Sequence, residues 1–472
     1  MDTPTQSRPE LARDLGLSHA GAVVVGTIIG SGIFLVPTEM MQAVGSAHLV
    51  YLAWMVGGLL SFFGALTYAE LGAMKPQAGG EYVYVRDGYG PLAGFLYSWT
   101  TFLISKPASI ATITTGLVRI LGTFSIFSFF SQAFFSHEFS LHSASYSFAL
   151  TYGQLVAIGA TIFISWLNYI GVRRAGEFQF LFSLLKVAII VGIAAIGFSY
   201  SRGTWANFAT EFSGAKGGMS GFVLALVAAL WAYDGWNDLN MVAGEIRNPQ
   251  RNIPLALIWG VATVGALYIL VNAAVQYVLP AAAIAASERP ASDAVALVLG
   301  HAGAGLVSAG IAISMLVTLN GSTMSGARVP FAMARDGYFF QAIGKVHPRF
   351  HTPYTALTMQ CALAIGLLLL GGNFRQFFSL AIFAEWMFYM ITASTLFIFR
   401  YRDPNASRPY RVWGYPVVPA VFVLASAYVL YQTFLDNLKS SSIGCLVILA
   451  GIPVFYWFSA RRTKRPSQKT IQ

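Results

Sequence analysis

The chain has little charge, few cysteines and no recognisable catalytic motif. Only 10% of its 472 residues are charged, whereas 56% are hydrophobic. A soluble domain of this length would not stay in solution with so little charge. Two cysteines, Cys361 and Cys445, supply neither a disulfide framework nor a cysteine-rich metal site. The seven histidines lack a ligand spacing such as HExxH, so we expect no metal and no cofactor.

Long apolar runs account for most of the sequence. A membrane-spanning helix needs roughly 20 mostly apolar residues. Such runs predict about twelve spans, at residues 17–43, 48–74, 90–121, 151–170, 177–199, 219–243, 253–280, 293–327, 354–371, 376–400, 416–436 and 441–460. The predicted fold class is therefore an all-α polytopic membrane protein, with residues 1–472 forming a single transmembrane domain.

The basic residues are distributed unevenly between alternate loops. Of the 29 Lys and Arg residues, 21 fall in one set of loops and 6 in the other, and Lys106 and Lys186 lie inside spans. Because cytoplasmic loops are enriched in Lys and Arg, both termini are predicted to be cytoplasmic. No cleavable signal peptide is expected. This topology, with anionic lipid as a partner, explains the net charge of +10 without nucleic acid.

The first span carries Gly26, Gly30, Ser31 and Gly32 near its centre. Close helix packing through Gly26 and Gly30 is one explanation, because small residues four apart are common at membrane helix interfaces. Three glycines and a serine also weaken the helix itself. An unwound segment here leaves free amides at the start of a half-helix, which bind a carboxylate well. Backbone is broken at this depth only where it faces protein or a polar cavity.

The sixth span contains a second cluster of polar residues. Asp234 and Asn237, with Gly235 between them, lie inside an apolar run. An Asp at the centre of a membrane costs roughly 2.5–3.5 kcal/mol, so we predict a second broken helix that receives an ammonium group. Asp238 and Asn240 are expected to lie near the cytoplasmic end of the span.

The two predicted breaks are five spans apart, so the second half enters the membrane in the opposite direction. This is the pattern of transporters built from inverted repeats, which hold the solute near the midplane between paired broken helices. The prediction rests on the positions of the breaks, because identity between the halves is not visible.

Buried lysines supply candidate partners for the breaks. Lys186 lies about 12 Å along span 5 from its cytoplasmic end and is expected to brace the first break against span 8, through Ser314 and Thr318. Lys106 precedes Pro107 and is expected to have a structural role, pairing with a carbonyl freed by the proline kink. Glu385 in span 10 is either a partner of Lys106 or a gate residue.

Several motifs together resemble the L-type amino acid transporter family of the amino acid, polyamine and organocation superfamily. They are Gly26-Thr-Ile-Ile-Gly-Ser-Gly-Ile-Phe34, Tyr68-Ala-Glu-Leu-Gly72, Gly79-Gly-Glu-Tyr-Val-Tyr84, Trp231-Ala-Tyr-Asp-Gly-Trp-Asn237, Asn248-Pro-Gln-Arg-Asn-Ile-Pro254 and Asn320-Gly-Ser322. The resemblance implies a leucine-transporter-like fold with a five-plus-five inverted repeat. The repeats are placed at 15–200 and 219–401, followed by two additional helices at 412–460 and a basic cytoplasmic tail at 461–472.

The same resemblance implies roles for individual residues. The substrate carboxylate is expected at Ser31 and Gly32, with backbone of Ile28 and Gly30. The substrate amino group is expected at the backbone of Trp231, Ala232 and Asp234, with Trp231 as the occluding aromatic residue and Asn237 at the border of the pocket. Lys186 matches a lysine whose ammonium group substitutes for the sodium ion of sodium-driven relatives, and Ser314 and Thr318 match the facing part of span 8.

The implied activity is sodium-independent exchange of L-amino acids across the cell membrane by alternating access. Neutral substrates are expected, and cationic ones are left open because Asp234 stands where many members of the family have a small residue. The alternative is a proton-coupled amino acid or amine/polyamine symporter. An enzyme or a non-transporting sensor lacks support, because no nucleophile and base pair is apparent.

The family's animal members join a heavy subunit through a cysteine after span 3. Segment 122–152 has none, so no disulfide-linked heavy subunit is expected, and an interfacial or cavity-covering loop is predicted there.

Overall fold

The computed structural model describes residues 10–141, 144–370, 374–436 and 438–463, and α-helices make up most of them. In chain order they are α1 (Leu17–Ile28), α2 (Gly32–Val44), α3 (Ala47–Met74), α4 (Glu81–Tyr89), α5 (Pro91–Thr100), α6 (Lys106–Leu121), α7 (Tyr152–Tyr169), α8 (Val172–Phe198), α9 (Gly218–Ala232), α10 (Asp238–Met241), α11 (Pro249–Val278), α12 (Ala281–Ala286), α13 (Pro290–Gly326), α14 (Arg328–Arg335), α15 (Tyr354–Leu369), α16 (Phe374–Arg402), α17 (Val417–Asp436) and α18 (Leu438–Thr463). A π-helical turn at Thr101–Ser105 joins α5 to α6.

Each predicted span contains one helix or a consecutive series of helices, whereas the short helices α4, α12 and α14 lie between the predicted spans. Within the described residues, seven helical stretches are both long enough and apolar enough to cross a membrane, and three shorter apolar helices accompany them. The prediction of an all-α polytopic membrane protein is confirmed. The stretch formed by α1 and α2 is 78% buried, against 33% for α8, so the first span lies among other helices and not against lipid.

Glycines allow the first span to lie this close to its neighbours. A Cβ added at Gly26 would lie 2.3 Å from Ser183 Oγ and 2.4 Å from Gln179 Nε2, so α1 packs on α8 with no room for a side chain. At Gly30 the nearest atom to an added Cβ is 3.7 Å away, on Thr318. Both explanations of the glycine run therefore apply, each to a different glycine: Gly26 permits close packing, and Gly30 lies at an opening.

Glutamates fix the predicted cytoplasmic half through buried ion pairs. Arg400 donates two hydrogen bonds, of 2.9 and 2.6 Å, to the carboxylate of Glu70 in α3, which also accepts one from the Val412 amide. Arg328 of α14 forms a two-pronged pair with Glu245, at 2.7 and 3.0 Å, and both side chains are fully buried. Such bidentate pairs hold helices in one geometry.

The segment after α6 forms a 3₁₀ turn and a small β-hairpin. A 3₁₀ turn at Ser125–Ser131 leads into two antiparallel strands, β1 (Ala133–Leu141) and β2 (Ala144–Thr151). A capping box between Thr151 and Gln154 then starts α7. The predicted loop is therefore partly a β-hairpin. Its alternation of Phe and Ser is typical of a strand, and the sequence prediction did not use that signal.

Candidate substrate site

The first helix break lies where the glycine run predicts it. Helix α1 ends at Ile28 and α2 begins at Gly32, and the Gly30 amide bonds back to the Ile28 carbonyl at 2.8 Å. The carbonyl groups at the end of α1 and the first N–H groups of α2 lack intrahelical partners. Helix α2 thus starts in the middle of the protein with donor groups and a positive dipole end.

A single ammonium group occupies the carbonyl side of this break. Lys186 Nζ lies 2.7 Å from the Gly26 carbonyl, 2.6 Å from the Ile29 carbonyl and 3.0 Å from Thr318 Oγ1, and the side chain is buried. Ser314 Oγ also donates to the Ile29 carbonyl, at 2.9 Å. The structure thus brings the lysine and the two span 8 hydroxyls together at the freed carbonyls of α1.

The second break separates α9 from α10. Helix α9 ends at Ala232, α10 begins at Asp238, and between them Gly235 has a φ of 109°. An added Cβ there would lie 3.0 Å from the backbone of Thr27, so this glycine serves both its backbone angle and a close approach to α1. Thr27 Oγ1 lies 2.8 Å from the Gly235 carbonyl, which connects the two broken spans directly.

Tyr268 of α11 connects the two breaks a second time. Its buried hydroxyl lies 3.1 Å from the Ile28 carbonyl and 2.9 Å from the Ala232 carbonyl, the last residues of α1 and α9. One O–H group is thereby shared between the two helix ends. Sequence reasoning missed this residue, because a tyrosine in an apolar span gives no local sign of which backbone it will reach.

Both breaks open onto one cavity. It encloses about 850 Å³ of space free of protein atoms, including open solvent. All eight residues predicted to bind substrate line this cavity: Ile28, Gly30, Ser31, Gly32, Trp231, Ala232, Asp234 and Asn237. Thr318 lines it as well, whereas Lys186 and Ser314 lie behind the first break and are not among the lining residues. Lys186 thus does not border the cavity itself, but it bonds the backbone carbonyls of the first break, which does.

The other end of the cavity is rich in hydrogen-bonding side chains. The Tyr389 hydroxyl of α16 lies 2.6 Å from Asp234 Oδ1 and 2.9 Å from Asn237 Oδ1. The Asn237 amide in turn donates to Glu81 Oε1 at 3.2 Å. Glu385, one helical turn before Tyr389, also lines the cavity. Tyr389 was not predicted, because only the packing of α16 against the second break brings it there.

Lys106 and Asp238 correct two of the sequence predictions. Lys106 forms a buried ion pair with Asp238 instead of bonding a carbonyl freed at Pro107. Asp238 was expected near the cytoplasmic end of the span, but it is 3% exposed and lines the cavity beside the second break. Asn240 is also buried, and its amide donates to the Tyr68 carbonyl at 2.9 Å. The unwound segment between α9 and α10 keeps both residues inside the protein, and a prediction that treats the span as one continuous helix misses this.

Only some of the acidic side chains around the cavity have a salt-bridge partner. Lys106 neutralises Asp238, but neither Asp234 nor Glu385 forms a salt bridge with any residue that the structure describes. The same part of the chain contains no group of three or more His, Cys, Asp or Glu residues that could hold a metal ion. The site therefore combines backbone donors at one break, backbone acceptors at the other, and acidic side chains beyond them, which suits a zwitterion carrying a polar side chain.

Comparison with known proteins gives consistent matches over the whole chain. The model of the amino acid permease family matches residues 15–458. The serine/threonine exchanger SteT of Bacillus subtilis is 33% identical over 457 residues, covering 96% of this chain and 98% of the relative. The b(0,+)-type amino acid transporter 1 of Homo sapiens is 30% identical, covering 95% and 88% of the two chains. The cystine/glutamate transporter of Homo sapiens is also 30% identical, covering 97% and 87%.

Proposed function

Because the chain belongs to the amino acid permease family, a family of transport proteins and not of enzymes, we propose that it is a sodium-independent exchanger of L-amino acids that works by alternating access. The observation that carries this proposal is the single cavity between two broken helices. Its α2 end offers amides for a carboxylate, and its α9 end offers carbonyls for an ammonium group.

In the proposed complex the substrate joins the two breaks. Its α-carboxylate accepts hydrogen bonds from the backbone amides of Ser31 and Gly32, next to the backbone of Ile28 and Gly30. Its α-ammonium group donates to the carbonyls of Trp231 and Ala232, near Asp234. Trp231 lines the cavity beside Gly32, where an added Cβ would lie 3.4 Å from its ring, and it covers the bound substrate. The other helices then move around the two breaks and the bound substrate, and no covalent step is needed.

Lys186 supports the proposal of sodium independence. The freed carbonyls of Gly26 and Ile29, together with Thr318 Oγ1, form an oxygen cluster of the kind that a small cation occupies. Here the ammonium group of the protein fills that cluster. No external cation is then required to hold the first break in place.

The polar side chains near the second break favour small polar substrates. Asp234, Asn237 and Tyr389 present carboxylate, amide and hydroxyl groups there that are linked through the Tyr389 hydroxyl, and a polar substrate side chain can add hydrogen bonds to this network whereas an apolar one cannot. The name of the relative SteT, a serine/threonine exchanger, agrees with this chemistry. We propose neutral amino acids with hydrogen-bonding side chains as the main substrates, with cationic ones accepted through Asp234.

One observation favours the alternative of a proton-coupled amino acid or amine/polyamine symporter. Asp234 and Glu385 share the cavity without a salt-bridge partner among the described residues. Two such carboxyl groups favour binding of a proton or of a second cation. Uptake driven by an imposed pH gradient, with no amino acid inside, would support this alternative over exchange.

The membrane location and the orientation of the chain are proposed from its family and from the distribution of its Lys and Arg residues. The chain is a multi-pass membrane protein, and we propose the cell membrane with both termini cytoplasmic, because Lys and Arg are concentrated in one set of loops. We propose an inverted repeat over 15–200 and 219–401. A disulfide-linked heavy subunit is not proposed, because no cysteine is present between residues 122 and 152.

Counterflow in proteoliposomes tests the proposed function. Purified protein is reconstituted with one amino acid inside, and uptake of a labelled panel is measured with and without sodium and with and without a pH gradient. We expect uptake that requires an internal amino acid and is independent of sodium and of the pH gradient. Uptake into empty vesicles that follows the pH gradient would contradict exchange.

A further inference from the structure

A second cavity lies beyond the substrate cavity, towards the predicted external side. It contains about 590 Å³ of space, including open solvent, and shares Ser31 and Met315 with the substrate cavity. Its wall includes Arg119 near the end of α6, and Glu288 and Arg289 in the connection between α12 and α13. The space at the entrance of the site is therefore lined by two guanidinium groups and one carboxylate.

The connection that carries Glu288 and Arg289 is held in place by α2. Thr38 Oγ1 lies 2.7 Å from the Ser287 carbonyl, and Gln42 Nε2 lies 2.7 Å from the Ala285 carbonyl. The Ser287 hydroxyl also accepts a hydrogen bond from the Arg289 amide at 2.9 Å. The charged side chains are thus attached to a fixed backbone and are not carried on an unsupported loop.

The charged side chains of this cavity form no close ion pair with one another. The closest atoms of Arg119 and Glu288 are 4.0 Å apart, and the two side chains are 69% and 86% exposed. An ion pair this long and this exposed contributes little, so its groups stay available to a ligand. Arg289 forms no salt bridge with any residue in the described part of the chain, and its side chain lies beside the same space. Two cationic donors and one anionic acceptor at one entrance are complementary to a zwitterion.

We propose that this cavity is an outer binding subsite for the amino acid on its way to the helix breaks. The carboxylate of the amino acid binds the guanidinium groups of Arg119 and Arg289, and its ammonium group binds Glu288. Bidentate contacts of this type suit a carboxylate. The proposal rests on the proposed function, because it takes the transported amino acid as the ligand, but it concerns a site separate from the helix breaks.

The subsite also spans two parts of the molecule. Arg119 belongs to α6, whereas Glu288 and Arg289 are fixed to α2, the second half of the first broken span. A bound amino acid therefore connects the two walls of the entrance. Met315 and Ser31 lie between this position and the substrate cavity, so the ligand passes them to reach the breaks.

Protection of an engineered cysteine tests this proposal. Thr123 lines the outer cavity and is exposed, so Thr123→Cys in a background with Cys361→Ala and Cys445→Ala gives one position for a membrane-impermeant maleimide. Serine, as the probe, is titrated against the labelling rate of the reconstituted protein. We expect serine to slow labelling, and Arg289→Gln to raise the half-protecting concentration about fivefold, as expected for an exposed charged contact. The matched control is Arg202→Gln, an exposed arginine outside this cavity, which should leave the concentration unchanged.

A second variant separates the outer subsite from the inner one. A Cβ at Gly32 would lie 3.1 Å from the Ala232 Cα, so Gly32→Ala narrows the inner site and leaves the outer one intact. Protection by serine should persist in this variant even though counterflow is lost. Loss of protection in Gly32→Ala, or an unchanged half-protecting concentration in Arg289→Gln, would overturn the proposal. Failure of counterflow in the unmodified protein would instead count against the proposed function.

Discussion

The two helix breaks differ in what holds them. At the break between α1 and α2, an internal ammonium group, Lys186, and two hydroxyls satisfy the freed carbonyls. At the break between α9 and α10, the surrounding groups are the side chains of Asp234, Asn237 and Tyr389, which border the cavity. The first break is thus completed by the protein, and the second keeps polar groups available to a ligand.

This difference assigns separate tasks to the two halves of the site. A break that is held by a buried lysine keeps one geometry for all substrates, which suits the α-carboxylate that every amino acid carries. A break bordered by carboxyl and hydroxyl groups responds to the chemistry of the side chain. Variants at the first break should therefore affect all substrates alike, and variants at the second should change their ranking.

The largest effect is expected for Lys186→Ala. The carbonyls of Gly26 and Ile29 lose their charged donor, and each buried acceptor without a full partner costs about 1–3 kcal/mol. Exchange of every substrate should fall by at least about 100-fold, measured by counterflow. The hydroxyls of Ser314 and Thr318 remain as donors, so a monodisperse peak in detergent should show that the protein still folds.

The control for this prediction is Lys345→Ala, which removes an exposed lysine from a loop. It should exchange at the normal rate. Normal exchange by Lys186→Ala would instead show that Lys186 does not brace the first break.

The next effect concerns the buried pair beside the second break. Lys106→Met leaves the Asp238 carboxylate buried without its partner, which costs about 3–5 kcal/mol. The melting temperature in detergent should fall clearly, and Lys106→Met combined with Asp238→Leu should recover most of the loss. Arg173→Met is the matched control, because the Arg173–Glu177 pair is 71% and 54% exposed and should matter little. Equal melting temperatures for the two single variants would refute the structural importance of the buried pair.

Tyr268→Phe tests the connection between the breaks. It removes one hydroxyl from the carbonyls of Ile28 and Ala232, with an expected loss of about 1–2 kcal/mol. Counterflow should fall about tenfold for all substrates. Tyr233→Phe is the control, because its ring packs 5.1 Å from that of Tyr268 and its hydroxyl makes no hydrogen bond to either carbonyl in the described structure. A similar fall in both variants would indicate a general packing effect.

The smallest but most selective effect is expected for Asp234→Gly. Loss of the carboxylate should change the preference between hydroxylated or cationic substrates and aliphatic ones by about fivefold, which corresponds to about 1 kcal/mol. Competition of a panel of amino acids against labelled serine measures this ranking. Asp234→Asn keeps the size of the side chain and isolates its charge. An unchanged ranking in both variants would reduce Asp234 to its backbone role.

The sequence predicted the parts of the site that are set by local chemistry. Glycine runs and buried acids at Gly30–Gly32 and at Asp234 violate the rules for membrane helices, so their positions are visible without a structure. Lys186 was visible for the same reason. These residues can be found from a single chain because each is costly where it lies.

The missing parts depend on packing between distant spans. Tyr268 and Tyr389 are ordinary residues for apolar helices, and only the docking of α11 and α16 brings their hydroxyls to the breaks. Lys106 and Asp238 were each noticed, but 132 positions separate them and no local pattern pairs them. Asp238 was misplaced because its depth depends on the unwound segment before it.

Determination of the structure with bound serine by electron cryomicroscopy tests the central claim most directly. We expect the serine carboxylate within hydrogen-bond distance of the amides of Ser31 and Gly32. We also expect the ammonium group at the carbonyls of Trp231 and Ala232, with the hydroxyl directed towards Asp234. Density that placed the carboxylate at the opposite end of the cavity, or outside both breaks, would contradict the account.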